Sequence, residues 1–123
     1  MIIAVDFDGT IVEHAYPQIG ADIPEAIEWL VKLQEAGARL ILWTMRDGAR
    51  LAEAVDYCRE RGVEWWGINS NPTQGSWSGS PKQYAHLYID DAGVGCPLVR
   101  PERRRAYVDW SVVGPIAIAA LTS

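Results

Sequence analysis

Cysteine is scarce in this 123-residue chain. Its two cysteines, Cys58 and Cys96, stand far apart and form neither a metal-ligand nor a redox pattern. That spacing argues against a disulfide-stapled scaffold, and the thiols read as reduced residues in or near the core of a cytoplasmic protein. No apolar run approaches the ~18 residues of a membrane span. The opening segment, MIIAVDFDGT, has no basic stretch ahead of its apolar run and passes straight into charge, unlike a secretory signal. Positive charge is also in short supply. A net charge of −5 argues against a nucleic-acid backbone as the main partner, with Arg103-Arg104-Arg105 as the one local basic run. Repeats, low-complexity tracts and linkers are absent. What is left, 49% hydrophobic and 22% charged, is the composition of an ordinary globular protein, and the length fits a single domain over residues 1–123. Most of the six tryptophans read as core filler.

Short apolar runs alternate with helical patterns. Met1 to Val5 looks like a strand buried on both faces, with Asp6 at its carboxyl end. Residues 9–21 hold Gly9, Pro17 and Gly20 and read as a loop. Asp22 and Glu25, in capping-box spacing, predict a helix from Asp22 with Ile23, Ile27, Leu30 and Val31 inward and Gly37 at its end. Arg39 to Trp43 predicts a second strand, followed by Thr44. Asp47 can cap a second helix that ends at Gly62. Glu64 to Ile68 predicts a third strand and the polar segment 69–80 a loop. Ser80-Pro81 predicts a helix start, with Lys82 in its first turn. Leu87 to Ile89 predicts a fourth strand ending in Asp90-Asp91. A short strand near Tyr107 and a helix around Pro115 to Leu121 close the chain. The alternation predicts an α/β fold: a single-domain, doubly wound, Rossmann-like and mostly parallel sheet flanked by helices.

In such sheets ligands bind beyond the carboxyl ends of the strands. Asp6, Thr44 and Asp90 each lie just past such an end, so polar residues from three strands meet at one rim. With Asp8 and Asp91 the rim holds up to four carboxylates. Two like charges 4 Å apart repel by ~4 kcal/mol even at an effective dielectric of 20, so the cluster must protonate or bind a cation. Hard oxygen ligands favour Mg²⁺, which takes few protein carboxylates and leaves room for a substrate phosphate. Strand geometry points Asp6 and Asp8 to one side, with Phe7 opposite. One carboxylate can attack phosphorus while the other handles the leaving-group proton. Gly9 permits the sharp departure of the chain. Thr44 can donate its hydroxyl to a phosphate oxygen, Lys82 can neutralise charge, and Arg46 can clamp the phosphate with its fork.

DFDGT at 6–10, an apolar strand ending in Thr44, Lys82 ahead of another apolar strand, and IDD at 89–91 resemble, in order, the four motifs of the haloacid-dehalogenase-like hydrolases. The resemblance spans residues 1 to about 91. It implies that Asp6 forms an aspartyl-phosphate and that Asp8 protonates the leaving group and then activates water. It implies that Thr44 and Lys82 hold the phosphoryl group. It also implies Mg²⁺ bound by Asp6, the backbone carbonyl of Asp8, and Asp90, with Asp91 acting directly or through water. The second aspartate of the motif favours phosphatase over dehalogenase chemistry. Neither the 9–21 loop nor the 69–80 loop is long enough to fold as a cap domain. The chain therefore resembles capless members, which often act on large substrates or complete their sites as homo-oligomers. The pocket is then expected from loops 9–21, 46–50 and 69–80. Its occupant is a phosphorylated substrate whose identity the resemblance does not supply.

Two other readings share these residues. A phosphotransferase would pass the phosphoryl group to an acceptor other than water. A catalytically silent module would bind metal or phosphate without turnover. A signalling receiver domain uses similar groups, but it places its acidic pair first and its lysine last, the reverse of the order here. Trp77 could stack on a substrate ring, although packing or a partner contact suits it better. Glu13 and His14 lie in the loop after DFDGT, which could flap over the site, although they read, like Arg103 to Arg105, as solvated residues.

Overall fold

The computed structural model describes residues 1–122. Four strands, β1 (Ile2–Val5), β2 (Arg39–Leu42), β3 (Trp65–Ile68) and β4 (Leu87–Ile89), form a parallel sheet in the order β3-β2-β1-β4. Val5 stands opposite both Leu42 and Ile89, so β1, β2 and β4 end level with one another. Between the strands run α1 (Ala26–Glu35) and α2 (Gly48–Glu60). A two-stranded antiparallel ribbon, β5 (Leu98–Val99) with β6 (Tyr107–Val108), and a final helix α3 (Trp110–Thr122) complete the chain. The fold is α/β and Rossmann-like. No helix is long and apolar enough to cross a membrane.

Alternation along the strands divides the core in two. Ile3, Val5, Leu40 and Leu42 join Leu30, Leu33, Val55, Cys58, Val113 and Ala117 from the three helices in one buried cluster. Burying each large aliphatic side chain contributes about 1.5–3 kcal/mol. Ala4 and Ile41 point the other way and are equally buried. Tyr88, level with Ala4 in the register, donates its hydroxyl to Gln83 O (2.5 Å) and accepts from Ala85 N (3.1 Å). The crossover from β3 to β4 holds one short 3-10 turn, Gln74–Ser76, and no α-helix. The strand order runs from β1 through β2 to β3 on one side and returns to place β4 on the other, which makes the β1–β4 boundary the switch point of the sheet.

Several local expectations give way to tertiary pairing. The first helix begins at Ala26 and not at Asp22. Residues 11–13 pair with 21–23 in extended form, through Glu13 N to Ala21 O (2.8 Å) and Ile23 N to Ile11 O (3.1 Å), and this takes Asp22 out of any cap. Asp47 precedes α2 as expected, yet its side chain makes no capping hydrogen bond. No helix follows Ser80-Pro81. The buried Gln74 side chain binds that segment instead, donating to Ser80 O and Lys82 O and accepting from Tyr84 N. The last helix starts at Trp110, with Asp109 Oδ1 accepting from Ser111 N (3.1 Å), and carries Pro115 inside it. Trp65 and Trp110 are buried and Trp77 is exposed, so the tryptophans fill the core less fully than their number suggests.

Candidate active site at the switch point

Asp6 directly follows β1, Thr44 lies two residues past β2, and Asp90 and Asp91 directly follow β4. They line one cleft of about 530 Å³ together with Asp8, Arg46 and residues from neighbouring loops. The DFDGT turn is pinned from below by the C-terminal segment. Trp110 Nε1 donates to Thr10 O at 2.7 Å, and Val108 N to Gly9 O at 3.0 Å. Thr10, fully buried, works on both acidic strands: its hydroxyl donates to Asp6 Oδ2 (3.1 Å) and its oxygen accepts from Asp91 N (3.2 Å). Gly9 has φ of +84°, and a Cβ there would overlap His14 Nε2 and Asp91 Oδ2. The position requires glycine for both conformation and space.

The four carboxylates divide into a cluster and a pair. Asp6, Asp90 and Asp91 each offer an oxygen within 4.8 Å of the others. Burial, then repulsion from Asp90, then a hydrogen bond shared with Asp91 push the Asp6 carboxyl up to about 8. Without a counter-cation the cluster keeps a proton, as like charges in a partly desolvated site must. The donor set is all oxygen, with no thiolate, which suits a hard divalent cation. His14 Nε2 sits 2.8 Å from Asp91 Oδ2 and fixes that carboxylate from outside the cluster.

Asp8 turns away from this cluster to Arg46. Arg46 Nε donates to Asp8 Oδ2 at 2.8 Å and Nη2 to Oδ1 at 2.7 Å. Nη2 also donates to Gln18 O (2.9 Å) and Nη1 to Pro17 O (3.3 Å). The guanidinium lies between the Phe7 and Tyr16 rings, 5.0 and 5.1 Å from their centroids. Arg46 is therefore a buried fork that orients Asp8, not the open phosphate clamp its position after Thr44 suggested. Thr44 accepts Arg46 N on its hydroxyl oxygen (3.1 Å), and its own N–H donates to Asn69 Oδ1 (2.8 Å). The Thr44 hydroxyl proton is left available to the cleft.

No protein-family model matches the sequence, and no curated protein does. A solved structure described as that of a conserved protein coded by a locus of Bacteroides thetaiotaomicron is 43% identical, with a TM-score of 0.81, over 98% of this chain and 91% of that one. The chain belongs to the family of that conserved protein. Membership fixes the fold and names no reaction.

In this member of the family Lys82 does not join the other motif residues. It is exposed, its Nζ lies 5.9 Å from the Tyr88 ring centroid, and it does not line the cleft. Without the expected helix nothing carries it to the carboxyl rim. The 69–80 loop folds around Gln74, also away from the cleft, and Trp77 packs edge-on against Tyr84 at 5.8 Å. From the 46–50 segment only Arg46 reaches the cleft. In their place stand Tyr16, Met45 and Arg105, together with His14. Thr10, Tyr16, Met45, Asn69 and Arg105 were missed as site residues, and His14, read mainly as solvated, lies 2.8 Å from Asp91 Oδ2 instead. Thr10 carried a signal as the last residue of DFDGT, and His14 and Tyr16 only by lying in the loop that follows it. Cys58 takes no part: burial pushes its thiol up to about 12, which leaves it un-ionised at neutral pH.

Proposed function

We propose that this protein is a magnesium-dependent phosphate monoester hydrolase of the haloacid-dehalogenase-like type, acting through an aspartyl-phosphate on Asp6. The observation that carries the reading is the juxtaposition at the switch point. A three-carboxylate cluster sits on β1 and β4, and a separately clamped Asp8 lies on the same cleft. Asp6, Asp90 and Asp91, with the Asp8 carbonyl, would hold Mg²⁺, which supplies charge neutralisation to the nucleophile and the phosphate. The two free thiols suit a reducing, cytoplasmic setting.

In the first step an Asp6 oxygen bonds to phosphorus as the ester P–O bond breaks, and the leaving alkoxide takes a proton from Asp8. In the second step water attacks phosphorus and gives its proton back to Asp8. The Asp6–phosphorus bond then breaks, releasing inorganic phosphate and regenerating both carboxyl groups. To carry the proton, one Asp8 oxygen must leave the Arg46 fork while the other stays held by the guanidinium, and the Thr44 hydroxyl donates to a phosphoryl oxygen.

The test is a panel of phosphate monoesters with and without Mg²⁺, wild type beside Asp6→Asn. Metal-dependent phosphate release that vanishes in the variant is the expected result. Undiminished release by Asp6→Asn would remove Asp6 as nucleophile. Mg²⁺ binding without release from any ester would shift the reading to a silent module or a phosphotransferase awaiting its acceptor.

A further inference from the structure

The proposed hydrolysis leaves the cleft short of a cation for the substrate. Lys82 lies outside it. Arg46 lies inside but spends its donors on Asp8, Pro17 and Gln18. Arg105 lines the same cleft as Asp6 and Asp90, is exposed, and makes no ion pair among the described residues. Residues on either side of it in sequence contact the loop that follows the nucleophile. Arg104 Nη1 donates to Glu13 Oε2 at 3.1 Å, and Val108 N donates to Gly9 O at 3.0 Å. An unpaired arginine held beside a carboxylate cluster, and not bonded to it, is free to pair with an incoming anion.

Two apolar groups flank the same opening. Met45 is 98% exposed, set between Thr44 and Arg46, which both engage the site. Tyr16 is 61% exposed, and one face of its ring is held by the Arg46 guanidinium. A flexible thioether and an anchored aromatic ring suit a flat, weakly polar group. The cleft volume of about 530 Å³ falls within the range of small-ligand sites.

We propose that Arg105, Tyr16 and Met45 form a recognition rim for phosphomonoesters of ring-bearing alcohols, aryl or nucleoside phosphates. Arg105 pairs with the phosphate, and the ring enters between Tyr16 and Met45. The inference rests on the hydrolase reading and names the substrate class of that same site. It moves the phosphate-holding cation from Lys82 to a residue well past the last of the four motifs.

The test compares kcat/KM in Mg²⁺ for an aryl phosphate, a nucleoside monophosphate and glycerol phosphate. Wild type stands beside Arg105→Gln, Arg105→Lys, Met45→Ala and Lys82→Gln. Arg105→Gln is expected to lower kcat/KM about tenfold through KM and to weaken inhibition by inorganic phosphate equally, with partial recovery in Arg105→Lys. Lys82→Gln is expected to match wild type. Ring-bearing esters should outperform glycerol phosphate by about tenfold, and Met45→Ala should narrow that ratio. Loss of phosphate inhibition in Lys82→Gln and not in Arg105→Gln would overturn the assignment, as would equal rates on all three esters. If wild type hydrolyses none of them, the hydrolase reading falls first. Calorimetric titration with inorganic phosphate and a nucleoside monophosphate in Mg²⁺ then decides the rim: binding lost in Arg105→Gln upholds it, and no binding removes it.

Discussion

Both carboxylate oxygens of Asp8 are held by one side chain, Arg46, through Nε at 2.8 Å and Nη2 at 2.7 Å. The arginine side chain is 1% exposed and the aspartate 18%. The pair gives Asp8 an environment unlike that of Asp6 two residues away, which burial and Asp90 push toward the protonated form. Two carboxyl groups on one strand end thereby stand in different environments, and the nucleophilic role proposed for Asp6 requires a bound cation to ionise it.

Arg46→Lys keeps the charge and loses the fork. Turnover is expected to fall about a hundredfold, since misorienting a reacting group by about 1 Å costs that much. Arg46→Met, which leaves Asp8 without its partner, is expected to destabilise the fold by about 3–5 kcal/mol in urea titration. Wild-type kcat in Arg46→Lys would end the orienting role.

The crowding at Asp6 has a pH signature. Its carboxyl stands at about 8 in the folded protein against 3.8 as the reference value. Between those values the folded state binds a proton that the unfolded chain does not, so stability falls as pH rises. The contribution is complete below pH 3.8 and is lost as pH climbs through about 8. Without Mg²⁺, wild type should therefore lose stability relative to Asp6→Asn across that window, by denaturant titration at fixed pH. A constant gap between the two proteins would contradict the crowding.

Asp90→Asn removes one oxygen donor's charge and also the main neighbour repelling Asp6. Mg²⁺ affinity is expected to drop at least about tenfold while the metal-free protein is no less stable. An unchanged calorimetric Mg²⁺ titration would discard Asp90 as a ligand.

Gly9→Ala places a methyl group where His14 and Asp91 lie, at a φ of +84°. The expected cost is about 1–3 kcal/mol of stability, with weaker Mg²⁺ binding because Asp91 must shift. Wild-type melting and metal affinity in Gly9→Ala would show that the turn has slack the structure does not display.

The strands were legible because parallel strands buried on both faces read as unbroken apolar runs. Once β1, β2 and β4 could be placed, the positions of Asp6, Thr44 and Asp90 followed from their distance past the last apolar residue. Helix starts were less legible. Asp22 with Glu25, and Ser80 with Pro81, carry sound local signals. Strand-like pairing of Ile11 with Ile23 overrides the first, and the long-range bonds of Gln74 override the second.

By itself the sequence determined the alternation of strand and helix, and with it a row of carboxylates at the carboxyl edge of a parallel sheet. These follow from periodicity and from the fixed direction of strands, which are local properties. The tertiary structure alone decided which side chains meet across the cleft. It gave Arg46 to Asp8 over 38 positions of sequence and His14 to Asp91 over 77. It left Lys82 outside and brought Arg105 in. Such pairings depend on where loops of irregular backbone close, and that is set by distant hydrogen bonds and burial that no local pattern encodes.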